Sequence, residues 1–197
     1  FLVLLAAALS VACFSATTGI LSFGHVAFMG IGAHLSALMT MPVAIKASTL
    51  PHLPDFLANL SLPFLASVAI TVCISALLAL ITGIPISRLG GSEASIATLA
   101  LLLMTSSILI GARDFTRGSQ ALFGVPKAVN IPVALAFVAL TILLARWYTS
   151  SRPGLLARAV REDEPAAAAI GIRPERVRLI AWVISGALAG LAGALLG

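Results

Sequence analysis

Charge is what this sequence has least of. Only 10% of its 197 residues are Asp, Glu, Lys or Arg and 60% are hydrophobic, whereas a soluble globular domain carries about 25% charged residues. With a mean hydropathy of +1.11, that scarcity excludes a soluble domain and leaves an integral membrane protein. Cysteine is nearly missing as well. Cys13 and Cys73 each stand among aliphatic residues, without the close pairing that metal sites use, and are expected to be buried, inert thiols. No G-x-x-x-x-G-K-[ST] occurs in the chain, so nothing here cradles nucleotide phosphates by that device. The first apolar segment lacks a basic n-region and an obvious cleavage site, which argues against a removable signal peptide. No basic residue stands beside a stacking aromatic in a polar domain, so the net charge of +5 does not point to nucleic acid. The chain opens on Phe1 rather than Met and stops at Gly197 within a charge-free run. It is expected to be a fragment of a longer polypeptide, with spans missing at either end.

What is abundant is uninterrupted apolar sequence. No Asp, Glu, Lys or Arg occurs from Phe1 to Ile45, Phe56 to Ser87, Ala94 to Ala112, Ala128 to Ala145 or Leu179 to Gly197. A helix needs roughly 20 residues to cross the hydrocarbon, so the first run holds two crossings and the others one each. About six spans follow, at 1–18, 25–41, 62–86, 93–112, 128–148 and 178–197, all helical because lipid cannot satisfy an open backbone. The fold class is therefore all-α, a polytopic transmembrane helical bundle. The Pro-rich "MPVAIKASTLPHLPDFLANLSLP" and the segment "ARDFTRGSQALFGVPK" read as loops between spans.

Against this background one polar island stands out, "SSRPGLLARAVREDEPAAAAIGI", residues 150–172. Seven of the 12 Lys and Arg lie between Arg146 and Arg178. If the island is cytoplasmic, alternation places eight basic residues inside (Arg88 plus those seven) and four outside (Lys46, Arg113, Arg117, Lys127), the direction of the positive-inside rule. Trp147 and Tyr148 then fall at the inner boundary, where amphipathic rings favour the headgroups. Pro153 suits a first helical turn, Asp163 an N-cap, Pro165 the next first turn and Gly171 a C-terminal stop. The island thus predicts a helix, a break and a second helix, and Arg173-Pro174-Glu175 begins another helix that enters the last span. A plain cytoplasmic loop whose arginines only fix topology is the alternative. Acids clustered at a helix start, an Ala-rich run and a terminal Gly favour a compact knob.

The stretch "TTGILSFGHVAFMGIGAH" is the second informative one. Gly19, Gly24, Gly30 and Gly32 lower helix propensity inside an apolar segment, while Thr17, Thr18, Ser22 and His25 add uncharged polar groups. Irregular backbone at membrane depth is tolerated where it is buried in protein or lines a cavity. Simple alternation makes residues 19–24 a cytoplasmic turn, and the glycines otherwise serve close helix approach. His25 is either a pathway residue or a ring that hydrogen-bonds across helices. His34 lies nine residues on, about 180° around a helix, so the two cannot form a metal pair. In the last span Gly186, Gly190, Gly193 and Gly197 recur at spacings of four, three and four, a small-residue face for tight packing in lipid.

"ARAVREDEPAAAAIGIRPERVRLIAWVISGALAGLAGALLG" resembles the cytoplasmic loop and following helix of the inner-membrane permeases of branched-chain amino acid ABC importers. "TTGILSFGHVAFMGIGAHLSALM" is similar to that family's Gly-rich early segment, and "TRGSQALFGVP" to its periplasmic loop. The resemblance implies a single permease domain over 1–197 containing a cytoplasmic coupling loop at 149–177. It assigns ATPase coupling to Arg158, Arg161, Glu162, Asp163, Glu164, Ala166, Ala167 and Gly171. The general ABC-permease signature places Glu directly before the Ala pair, where this chain has Pro165, and the branched-chain subfamily tends to lack that Glu. The resemblance also suggests that residues 19–24 form a discontinuous element, with Ser22, Gly24 and His25 on the substrate pathway. It implies a bacterial cytoplasmic (inner) membrane protein, multi-pass in the lipid bilayer. Its partners would be ABC ATP-binding subunits, a second permease subunit in a heterodimer and a periplasmic substrate-binding protein. ATP and Mg would bind the partner ATPase, with no cofactor, metal or catalytic residue in this chain. Urea and short amides are alternative cargoes within the family. From other classes, an ion-coupled secondary transporter is disfavoured because no acid lies in a span interior. A membrane-embedded enzyme is disfavoured because His25 has no acidic or nucleophilic companion nearby in sequence.

Overall fold

Every long apolar run becomes a helix, and the polar island becomes two more. In the computed structural model, which describes residues 1–49, 53–112, 116 and 129–196, the helices follow in the order α1 (Leu2–Thr18), α2 (His25–Thr40), α3 (Val43–Thr49), α4 (Asp55–Ala58), α5 (Phe64–Ile86), α6 (Gly91–Gly111), α7 (Ile131–Ser150), α8 (Arg152–Glu162), α9 (Glu164–Ala169) and α10 (Pro174–Ala194). No strand occurs among the described residues. Four helices, α5, α6, α7 and α10, are long and apolar enough to cross a membrane. All six expected segments are helical, and the two at the amino end, α1 and α2, are shorter than the other four, with 17 and 16 residues. At 1.5 Å per residue each reaches about 25 Å, short of the roughly 30 Å hydrocarbon. The cause is local. Gly19 takes φ 72°, a left-handed conformation that ends α1 with its N–H on the Ser15 carbonyl, and α2 restarts only at His25.

The segment at 41–63, expected to be a loop, contains α3 and α4. Pro42 and Pro54 act as helix starters rather than breakers. The Pro42 carbonyl accepts from Ile45 and Lys46 N–H, and the Pro54 carbonyl from Leu57 and Ala58 N–H. Lys46 is buried, and its Nζ donates to the Leu57 carbonyl at 3.1 Å and to that of Leu60. The second expected loop lies outside the described residues except for Ala112 and Thr116.

α10 is the axis of the bundle. It packs against α1, α2 and α5, and 72% of its apolar stretch is buried. The small-residue stripe makes this possible. A Cβ at Gly186 would stand 2.7 Å from the Ala79 Cβ, one at Gly190 would collide with Ser75, and one at Gly193 with the Met29 carbonyl. Gly32 on α2 meets Gly190 in the same way, its added Cβ only 2.5 Å from the Gly190 carbonyl oxygen. Without side chains the backbones approach to distances that dispersion and packing reward in lipid. Gly197 lies outside the described residues.

Candidate functional site

The island folds as a knob at the end of the bundle where α7 stops and α10 starts. Pro153 stands in the first turn of α8, and Gly154 is required there because a Cβ would strike the Tyr148 carbonyl. Gly154, Ala157 and Val160 form the buried face of α8, which packs on α1, α7 and α10. Asp163 turns to extended backbone (φ −153°, ψ 100°) and ends α8, while its Oδ1 accepts from the Ala166 N–H at 2.9 Å and starts α9. At the other end of α9, Gly171 has φ 88°. There the Gly171 N–H donates to the Ala168 carbonyl at 3.0 Å and the Ile172 N–H to the Ala167 carbonyl at 3.1 Å, the paired pattern of a Schellman cap. Both expected caps are present, and Pro174 occupies the first turn of α10.

The eight residues singled out in the knob divide by direction. Arg158, Glu162, Asp163, Ala166 and Gly171 are exposed, and Ala167 is buried beneath α9. Two others, though partly solvent-accessible, are committed to the bundle. Arg161 Nη1 donates to the Ala16 carbonyl at 2.8 Å, and its aliphatic stem lies over Gly19, where a Cβ would stand 2.8 Å from Arg161 Cγ. Glu164 is held by both arms of Arg178, with Nη1–Oε1 at 3.1 Å and Nη2–Oε2 at 2.5 Å. Arg178 also reaches the Leu89 carbonyl in the turn between α5 and α6, at 3.5 Å. Sequence reasoning missed Arg178 and Leu89 as parts of this assembly. The signal for Arg178 was available: a charge four residues past Pro174, at the mouth of a charge-free run, needs a carboxylate when it faces protein.

Ser22, Gly24 and His25 do come together, and all three are buried. The break at 19–24 is sealed by hydroxyls, since Ile20 N–H donates to Thr18 Oγ1 at 3.3 Å and Phe23 N–H to Thr98 Oγ1 at 3.2 Å. His25 Nδ1 pairs with Ser22 Oγ at 2.8 Å and Nε2 with Ser185 Oγ at 2.8 Å. Ser185 spends its own proton on the Ala181 carbonyl at 2.7 Å. It therefore accepts from Nε2–H, and the Ser22 hydroxyl, which can donate or accept, meets the other ring nitrogen. Phe14 and Trp182 lie 5.4 and 5.2 Å from the His25 ring. A Cβ at Gly24 would stand 2.8 Å from Trp182 Cη2. Ser185 and Trp182 were not foreseen as partners of this cluster. His34 plays no part in it; its Nδ1 meets the Gly30 carbonyl of its own helix at 2.8 Å.

No group of three or more His, Cys, Asp or Glu among the described residues could hold a metal ion. A cavity of about 540 Å³ between α5, α7 and α10 is lined by Val72, Phe137, Leu140, Trp147, Leu188 and by Cys73, which is exposed there rather than buried as expected, among others, without a charged side chain. It offers nothing to pair the ammonium and carboxylate of an amino acid.

The family described as the branched-chain amino acid transport system permease component matches residues 1–197. The high-affinity branched-chain amino acid transport system permease protein LivM of Salmonella typhimurium is 24% identical over 212 residues, covering 90% of this chain and 46% of the relative. The Escherichia coli K12 LivM has the same identity and coverage. The ribose import permease protein RbsC of Escherichia coli K12 is 24% identical over 175 residues, 83% of this chain and 51% of the relative. The chain thus spans about half the length of these curated relatives. No solved structure matches it significantly. A match along the whole chain, on a helical bundle with an ordered polar knob, makes this multi-pass membrane protein a member of the branched-chain amino acid transport permease family.

Proposed function

We propose that the chain is the membrane-spanning part of an ABC importer for branched-chain amino acids, with its knob docked on a separate ATP-binding subunit at the cytoplasmic face of the inner membrane. The observation that carries this reading is the knob itself. Two short helices outside the spans are capped at Asp163 and Gly171 and expose Arg158, Glu162, Ala166 and Ile170. A topology-setting loop needs charge but no such order. The chain has no Walker-type phosphate loop, so ATP and Mg belong to the partner. A periplasmic binding protein delivers the cargo, a second permease subunit completes the pathway, and ATP-driven movement of the knob alternates access by rearranging the helices around α10. Ser22, Gly24 and His25 belong to the substrate pathway, and their burial together beside α10 supports that reading.

Ribose or a related sugar is the second reading, favoured by the similarity to RbsC. Co-expression of the permease with its ATP-binding and binding-protein subunits, followed by uptake of labelled leucine and labelled ribose, separates the two. Leucine uptake dependent on ATP is expected. Ribose uptake without leucine uptake would replace the cargo, and uptake driven by an ion gradient without ATP would sink the reading.

A further inference from the structure

We propose that Arg178 is the joint through which displacement of the knob reaches the bundle, an inference that rests on the docking of the knob to an ATP-binding subunit. Among the described residues, Arg178–Glu164 is the only ion pair between the knob and a long helix. It is built as a fork: two guanidinium nitrogens hold two carboxylate oxygens, a geometry that fixes orientation as well as distance. Glu164 is the first residue of α9. Arg178 is 9% exposed and fixed five residues into α10, with a further contact to the α5–α6 turn at Leu89. A half-exposed carboxylate on the docking element is therefore locked to a buried cation on the central helix.

The route onward is a rigid face. Arg178, Trp182, Ser185 and Ala189 follow at spacings of four, three and four, and all are buried, so they share one stripe of α10. Seven residues of helix, about 10 Å at 1.5 Å per residue, separate Arg178 from Ser185, which holds His25 Nε2. Trp182 lies between them, against Phe14, His25 and Phe28. A tilt or shift imposed at Glu164 consequently arrives at the His25 cluster without passing through a flexible segment. Arg178 acts as a positioning residue, since it works through Glu164 and the Leu89 turn.

The experiment uses the complete transporter in proteoliposomes and records three things: co-purification of the ATP-binding subunit, ATP hydrolysis, and uptake of labelled leucine, or of ribose where that sugar proves to be the cargo. Arg178→Gln should retain co-purification and hydrolysis while uptake per ATP falls at least about fivefold, the lower end of the usual range for coupling between sites, and Glu164→Gln should lower uptake per ATP by a similar factor. The charge swap Glu164→Arg with Arg178→Glu should recover part of that ratio, which a loss of general stability would not do. Wild-type uptake per ATP in Glu164→Gln, whose site is half exposed and folds whether or not Arg178→Gln inserts, would overturn the inference. So would a proportional fall of hydrolysis and uptake without rescue by the swap. Absence of any ATP-binding subunit from the wild-type preparation would instead overturn the docking on which the inference rests.

Discussion

α6 and α10 are both 21 residues long and similarly apolar, yet 11% of the apolar stretch of one is buried and 72% of that of the other. Composition explains the difference. α6 carries Leu103, Met104, Ile108 and Ile110 outward, each more than half exposed, so it meets lipid or further protein with large side chains. α10 replaces bulk with Gly186, Gly190 and Gly193 and with alanines, and three helices close on it. In a membrane, hydropathy says that a segment inserts, while residue size says what it inserts against. The same contrast explains why the polar groups gather around α10: Ser185, His25, Ser75 and Thr71 are all fully buried there.

The contrast breaks most sharply at Gly190. Gly190→Leu would drive a side chain into Ser75, and with backbone on the α2 side and no room to relax, a cost of about 3 kcal/mol or more is expected from overpacking. Little folded protein should accumulate, as measured by protease resistance in membranes; normal yield and resistance would mean that α10 is not the packed axis. Trp182→Ala comes next. It removes three aromatic contacts and an indole N–H bond to Thr82 at 3.3 Å, and should cost about 3–5 kcal/mol as large-to-small core changes do, read as a lowered thermal midpoint in detergent.

His25→Gln is expected to cost less, about 0.6 kcal/mol and at most about 1.7 kcal/mol, the average and the maximum measured for hydrogen bonds between membrane helices. In a double-mutant cycle with Ser185→Ala the two losses should be less than additive; full additivity would separate the pair. Smallest of all is Ile108→Ala on α6, where the side chain is 67% exposed. A change within about 0.5 kcal/mol is expected. A large loss there would show that another protein element covers α6.

The parts legible in the sequence were those fixed by local chemistry. Pro153, Asp163, Gly171 and Pro174 announce helix ends because their backbones or side chains suit few other places, and the structure puts each at one. Charge-free runs gave the long helices to within a few residues. The Pro42 and Pro54 starts were missed because the same residue opens a helix and interrupts one, and only the following turn decides. The Glu164–Arg178 fork joins residues 14 apart across a cap and a turn, and Ser185 reaches His25 across 160 residues. Such pairings depend on how helices stack, which periodicity does not encode. Glu164 and Arg161 were therefore expected to face a partner when their side chains also tie the knob to its own bundle.

Gly171 gives the most direct test of the knob as a docking element. Its φ of 88° strains any β-branched residue, and nothing lies within 4 Å of an added Cβ, so Gly171→Val acts through the backbone alone, at about 1–3 kcal/mol. Gly171→Asn, which tolerates the left-handed region, serves as the matched control. The measurement is co-purification of the ATP-binding subunit with each variant at equal membrane abundance. Retention in the Asn variant and at least about a fivefold loss in the Val variant, the equivalent of roughly 1 kcal/mol, is the predicted result, whereas equal retention in both would contradict the assignment of the knob.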